Sequence, residues 1–141
     1  MQNKITSETL DRAFKAGRLD LARALGLFDN WLNNGPSRGV GGLFQMGLPD
    51  GFADRLTERV FGPRLTVCFI SRLDQIHFKI YAAVDQRDEA HMADLRALKP
   101  TADELEKAAR WTMTHDVSEP FRMELKNLLE QMGYESVAQN I

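Results

Sequence analysis

Apolar residues recur at helical spacing through the second half of the chain. One stripe, with members three or four positions apart, predicts a helix over residues 74–85. The stripe consists of Leu73, Ile76, Ile80, Ala83 and Val84. A second helix is predicted from Glu89 to Leu98. Because few residues separate the two helices, they are expected to meet at a tight turn.

Two further helices carry capping signals at their first residues. Thr101 and Glu104 have the spacing of a capping box, which predicts a helix over residues 101–115. Its inward side is Leu105, Ala108, Ala109 and Thr112. Ser118 precedes the last predicted helix, over residues 119–132, which Gly133 ends. The apolar stripe of that helix is Phe121, Leu125, Leu128, Leu129 and Met132.

The first half of the chain is more mixed. Apolar spacing predicts a short helix that ends at Gly17 and a longer helix over residues 20–32. A glycine-rich loop follows at residues 33–42, and residues 43–48 are a candidate strand. After the turn residues at 49–51, a brief helix is predicted with three residues facing inward, namely Phe52, Leu56 and Val60.

Residues 65–70 form the clearest strand pattern in the chain. They are β-branched, aromatic or apolar on both faces, which predicts a buried strand with Cys68 inert in its middle. Together the patterns predict a mainly helical α+β fold, in one domain over residues 1–141. A small sheet around residues 65–70, with 43–48 as a candidate partner strand, would be covered by a C-terminal helical bundle.

Composition fits an ordinary globular domain, since 43% of the 141 residues are hydrophobic and 27% are charged. A net charge of −2 gives no general attraction to nucleic acid, so nucleic acid is not an expected partner. The arginines between residues 55 and 72 alternate with carboxylates, which favours a solvated mixed surface. With one cysteine, no apolar leader and no membrane-length apolar run, a cytoplasmic location without membrane contact is expected.

Several familiar chemistries have no matching motif. The glycine-rich loop contains no lysine, so it does not match a phosphate-binding P-loop. The three histidines, His77, His91 and His115, lack zinc-ligand spacing, so no metal site is predicted from them. No serine occupies a nucleophile-elbow motif.

Three polar residues lie on the helices predicted at 74–85 and 89–98. His91 and Asp94 share a helix face with apolar residues, which would bring them near the core, and Lys79 lies at the edge of the preceding helix's stripe. The three side chains are therefore expected to lie together beside a shallow polar cleft. Alternatively, His91 and Asp94 hydrogen-bond locally while Lys79 extends into water.

Short motifs in this region resemble the C-terminal part of nucleotidyltransferase-like proteins, a family that includes minimal nucleotidyltransferases related to abortive-infection and toxin-antitoxin toxins. The motifs are Lys79-Ile80-Tyr81-Ala82-Ala83, Asp85-Gln86-Arg87, His91-Met92-Ala93-Asp94-Leu95 and the segment 101–105. The resemblance spans about residues 25–133. It implies that Lys79 and Asp94, with His91 beside them, flank a nucleotide.

The chain departs from this family at the metal-binding motif. In the family, an Asp-x-Asp or Glu-x-Asp pair on a strand after a Gly-Ser turn holds Mg²⁺ for nucleotidyl transfer. Here Gly35-Pro36-Ser37 precedes no acidic strand, and Glu104 and Glu106 lie in a predicted helix, where residues two apart diverge by about 200°. The expectation is a fold truncated at its N-terminal side, without its metal-binding strand.

Two functions follow from this pattern. The first is a nucleotidyltransferase-like protein that binds a nucleotide but is not catalytic as this chain alone, with Mg²⁺ used only if another segment supplies the carboxylates. The second is a helical interaction or oligomerisation module, accessory to a toxin-antitoxin or defence system. In either case the open sheet edge at residues 65–70 is expected to be covered by the N-terminal helices, by a second copy of the chain or by another protein.

Overall fold

The computed structural model describes residues 47–60, 65–87 and 89–141, together with residue 63 and positions 16, 17, 19, 20, 23, 24 and 26. The chain divides into two compact units, residues 1–42 and 43–141. The helices predicted before Gly17 and over 20–32 lie almost wholly outside the described residues, and the single-domain prediction stays a prediction.

The described part of the second unit contains a β-hairpin followed by helices. The strands are β1 (Thr57–Val60) and β2 (Thr66–Phe69), and a 3-10 turn at Ala53–Arg55 precedes them. The helices are α1 (Arg72–Gln86), α2 (Glu89–Ala97), α3 (Ala102–Thr112), α4 (Glu119–Gln131) and α5 (Glu135–Asn140). The prediction of a mainly helical α+β fold is confirmed.

Helix α1 lies at the centre of the helical core. It packs against α2, α3 and α4, while α5 packs against α3 and α4. The apolar stripes predicted for α1, α3 and α4 meet here, which confirms their inward faces. The core consists of Ile76, Ile80, Ala83, Val84, Leu95, Leu105, Ala108, Ala109, Phe121, Leu125, Leu128, Leu129, Val137, Ala138 and Ile141.

The helix starts follow their capping signals. The Thr101 hydroxyl accepts from the Glu104 backbone N–H and the Glu104 carboxylate accepts from the Thr101 backbone N–H, so the predicted capping box is present. The Ser118 side chain caps α4, and Gly133 follows that helix with a positive φ of 85°. Helix α5 was not predicted, because its six residues are too few to show a periodic stripe.

The sheet differs from the prediction in composition and position. Its two strands pair antiparallel, with Thr57 opposite Phe69 and Val60 opposite Thr66. The helix predicted around Val60 is wrong, because residues 57–60 form β1. In the proposed partner segment 43–48, only Gly47 and Leu48 are described, and neither is in a strand.

The prediction that residues 65–70 are buried under the helical bundle is also wrong. Every residue of β1 is exposed, Cys68 is exposed, and Phe69 keeps 46% of its surface accessible. Neither strand packs extensively on any helix of the described chain. A run that is apolar on both faces predicts a strand, but its burial depends on whether other helices or strands pack over it. Within the described ranges no helix covers this strand.

None of the helices in the described part of the chain is long and apolar enough to cross a membrane.

Candidate functional site

The structure brings Lys79, His91 and Asp94 together at the corner between α1 and α2. Arg87 ends α1 in the left-handed conformation, with φ of 51°, which turns the chain directly into α2. The Lys79 Nζ lies 2.5 Å from Asp94 Oδ2 and 3.4 Å from His91 Nδ1. The other ring nitrogen, His91 Nε2, is 3.2 Å from Gln86 Oε1. The expected proximity is therefore present, while a role in nucleotide binding stays a prediction.

Hydrogen-bond chemistry fixes the roles within this group. An ammonium group only donates, so His91 Nδ1 accepts and His91 Nε2 donates its proton to Gln86. The hydrogen bond and the charge of Lys79 lower the pKa of Asp94, which keeps that carboxyl ionised. Two of the three ammonium hydrogens are used in this arrangement, and no described residue accepts the third.

The group is more exposed than the sequence pattern indicated. The Asp94 side chain is 57% exposed and that of Lys79 30%. Only Leu95 of α2 is buried, and Asp94 is rotated about 100° from it around the helix. The expectation that the polar pair lies near the core is thus wrong for Asp94. Lys79 contacts Asp94, so the alternative in which Lys79 extends alone into water is wrong as well.

A second ion pair, between Arg55 and Asp74, is structural. Asp74 is fully buried, and Arg55 Nη2 lies 2.5 Å from its Oδ1. Ser71 caps α1 and also donates to Asp74 from its hydroxyl. Burial raises the pKa of Asp74, but the hydrogen bonds from Arg55 and Ser71 outweigh that effect and the pKa is lowered.

Arg72 joins the end of α2 to the start of α3. Its guanidinium donates to the carbonyl oxygens of Leu98 and Lys99 and to both carboxylate oxygens of Glu104. Interpreting the arginines of this region as a solvated mixed surface therefore missed the structural roles of Arg55 and Arg72. The Ser71-x-x-Asp74 spacing before an apolar stripe could have indicated a structural role here, since this spacing marks the start of a helix.

A cleft of about 670 Å³ opens beside α3, and we call it the Trp111 cleft. Its lining residues are Gly47, Leu48, Pro49, Asp50, Arg55, Leu73, His77, Lys107, Arg110, Trp111, Thr114 and His115. His115 lies at one wall, with its Nε2 3.2 Å from the Gly47 carbonyl oxygen and its Nδ1 3.0 Å from that of Trp111. A neutral imidazole donates to only one of these oxygens, and Nδ1 also lies 3.1 Å from the Thr114 hydroxyl. Sequence reasoning did not identify this cleft, since its residues come from three separate segments.

Another cleft, of about 560 Å³, lies between α1, α2 and α4. Charges of both signs line it, including Arg87, Arg96, Glu89 and Glu124. Neither this cleft nor the Trp111 cleft includes Lys79, His91 or Asp94 among its lining residues, so the shallow cleft expected beside that group is not one of these two.

Within the described ranges, no three or more His, Cys, Asp or Glu side chains come together as a metal-binding group. No protein-family model, curated protein or solved structure matches this chain. The resemblance to nucleotidyltransferase-like proteins consequently stays a prediction that rests on the motifs quoted above.

Proposed function

We propose that this chain is a nucleotidyltransferase-like protein that binds a nucleotide and does not transfer nucleotidyl groups on its own. The observation that carries the proposal is the contact of the Lys79 ammonium with Asp94 and His91 at the surface. The proposal also rests on the resemblance of the surrounding motifs. The fold implied is a nucleotidyltransferase-like fold without its metal-binding strand.

The chemistry of the group suits a phosphate ligand. A lysine ammonium is a compact positive charge with three donors, a common partner for phosphate oxygens. Asp94 and His91 use two of those donors and hold the ammonium at the corner, which leaves the third for a phosphate oxygen. In this role Lys79 binds the ligand, while Asp94 and His91 position Lys79.

The absence of turnover is proposed from the sequence. Phosphoryl-type transfer depends mainly on positioning and on cations that stabilise the charge in transfer. The metal-holding Asp-x-Asp pattern has no counterpart after Gly35-Pro36-Ser37. If a separate segment or protein supplied those carboxylates, Mg²⁺ would bind there and the complex would be the enzyme.

Calorimetric titration with each nucleoside triphosphate and Mg²⁺ tests the binding. The wild-type chain should bind at least one triphosphate, and Lys79→Ala should weaken that binding about tenfold, the value of one lost charge-assisted hydrogen bond. Lys126→Ala, on α4 and outside both clefts, is the matched control and should bind like the wild type. Equal binding by Lys79→Ala and the wild type would show that Lys79, His91 and Asp94 do not form the nucleotide site.

Labelled triphosphate tests the lack of turnover. With Mg²⁺ and the purified chain, no labelled product should form. Transfer that disappears in Lys79→Ala would show that the chain is a complete enzyme and that other carboxylates hold the ion.

A second candidate function, a helical interaction or oligomerisation module, is favoured by the exposed hairpin. Three large apolar side chains stand in solvent there, with exposed fractions of 73% for Val60, 55% for Leu65 and 46% for Phe69. Within the described residues the sheet has only two strands, so each strand has one edge with no neighbouring strand. Analytical ultracentrifugation separates the functions, because a module of this kind associates without any nucleotide and loses association in Val60→Asp.

A further inference from the structure

The Trp111 cleft contains a buried acceptor that has no hydrogen-bond partner among the described residues. His77 lines the cleft and is only 7% exposed. Its Nδ1 lies 2.8 Å from the Leu73 carbonyl oxygen, so that nitrogen carries the proton. Burial lowers the pKa of His77, which favours the neutral ring. Its Nε2 is therefore an acceptor, and no described residue donates to it. Such a group usually finds a partner, which a ligand would supply.

Aromatic rings form one wall of the same cleft. Trp111 and His115 have ring centroids 4.1 Å apart, and His77 meets Trp111 edge-on at 5.6 Å. The indole N–H of Trp111 has no acceptor among the described residues, although half-buried tryptophans commonly engage this group. A planar heterocycle with both donors and acceptors would stack on this wall and hydrogen-bond to His77 and Trp111.

Positive charge lies at the cleft's rim. Lys107 is exposed and forms no ion pair with any described residue. Arg110 lies nearly one turn further along α3. It uses its Nε and Nη2 for Glu106 and the Asn140 carbonyl, while its Nη1 has no described partner. These two cations present free N–H groups to an anion, whereas the third cation of the lining, Arg55, is already engaged with Asp74.

We propose that the Trp111 cleft binds a nucleoside monophosphate, with its base stacked on Trp111 and His115 and its phosphate held by Lys107 and Arg110. The volume of about 670 Å³ suits a ligand of this size. Asp50 also lines the cleft, and its negative charge disfavours a longer polyphosphate chain. This site shares no residue with Lys79, His91 and Asp94, and its existence does not depend on the family resemblance.

The test uses the full chain with Trp31→Phe, which leaves Trp111 as the only tryptophan. Titration with AMP, followed by the indole N–H resonance and by calorimetry, should shift that resonance and give saturable binding. Lys107→Ala should weaken AMP binding about tenfold and leave adenosine binding unchanged, because only the phosphate meets Lys107. His77→Phe, which keeps a ring but removes the acceptor nitrogen, should weaken both ligands about fivefold.

Controls separate this site from an unspecific anion site. Ribose 5-phosphate and inorganic phosphate should bind at least about tenfold more weakly than AMP, since each lacks a stacking base. Lys126→Ala should bind AMP like the parent. The proposal is overturned if AMP leaves the indole resonance in place, if Lys107→Ala binds AMP as tightly as the parent, or if Lys79→Ala rather than Lys107→Ala removes the binding. If Lys79→Ala loses triphosphate binding but still binds AMP, that result bears on the proposed function and not on the Trp111 cleft.

Discussion

The carboxylate of Asp74 is the most constrained charge among the described residues. It is fully buried beneath Arg55 and beside the hydroxyl that caps α1. A buried ion pair contributes little net stability, but removing one partner leaves the other charge without compensation. Arg55 also donates from Nη1 to the Asp50 carbonyl oxygen, so it holds the turn at residues 50–51 against the helix.

Replacing Arg55 with methionine should therefore be costly. We expect a loss of about 3–5 kcal/mol in the free energy of unfolding, measured by urea denaturation. The double variant Arg55→Met/Asp74→Leu should lose less than Arg55→Met alone, since no charge is then left buried. Arg122→Met, at an exposed position on α4, is the control and should change little. A double variant as unstable as the single one would contradict this account.

At the scale of elements, one guanidinium links two helix ends. Arg72 neutralises the carbonyl end of α2 and binds Glu104, which itself caps α3. Hydrogen bonds from Arg72 and from the Thr101 backbone lower the pKa of Glu104 from its ordinary 4.5 to about 2. The link between the end of α2 and the start of α3 thus includes the ionised carboxylate of Glu104.

This pKa shift predicts a pH dependence of stability. Because the pKa is lower in the folded chain than in the unfolded one, ionised Glu104 stabilises the fold above pH 4.5, and this stabilisation is lost as the pH falls towards 2. Glu104→Gln should be less stable than the wild type by about 1 kcal/mol at pH 7, as expected for a partly screened pair. The difference should vanish near pH 2 in thermal melts. A constant difference at every pH would argue against ionisation as the cause.

The helices of the second unit and the strand at residues 66–69 were largely predictable, whereas its partner strand β1 and the exposure of the hairpin were not. Stripes such as Leu105 to Thr112 have a period of 3.6 residues, and caps such as Thr101 and Ser118 mark where they start. Both signals are local in sequence. The burial of residues 65–70 depends on which other elements pack against them, and that information is not local. The same reason explains why Lys79 and Asp94, on adjacent helices, were found, whereas the Trp111 cleft was not.

Over the whole second unit, stability is unevenly distributed. The core joins all five described helices, while the hairpin packs extensively on none of them. An isolated two-stranded hairpin is marginally stable in water. Local opening is therefore expected to be much easier in β1 and β2 than in α4.

Two substitutions and an exchange experiment test this distribution. Leu125→Ala should cost about 2–5 kcal/mol, because its side chain is fully buried in the core. Val60→Ala should cost less than about 0.5 kcal/mol, because Val60 is 73% exposed. Amide hydrogens of Thr66 to Phe69 should exchange with deuterium much faster than those of α4. Equal protection of the two elements would mean that another part of the molecule covers the hairpin.

The exposed thiol of Cys68 also has a practical consequence. It is the only cysteine in the chain, and it stands in solvent on β2. A maleimide dye or nitroxide label would therefore attach at one defined position without any engineered substitution. Electron paramagnetic resonance of such a label would report the hairpin's motion directly, and would detect any molecule that comes to lie against it.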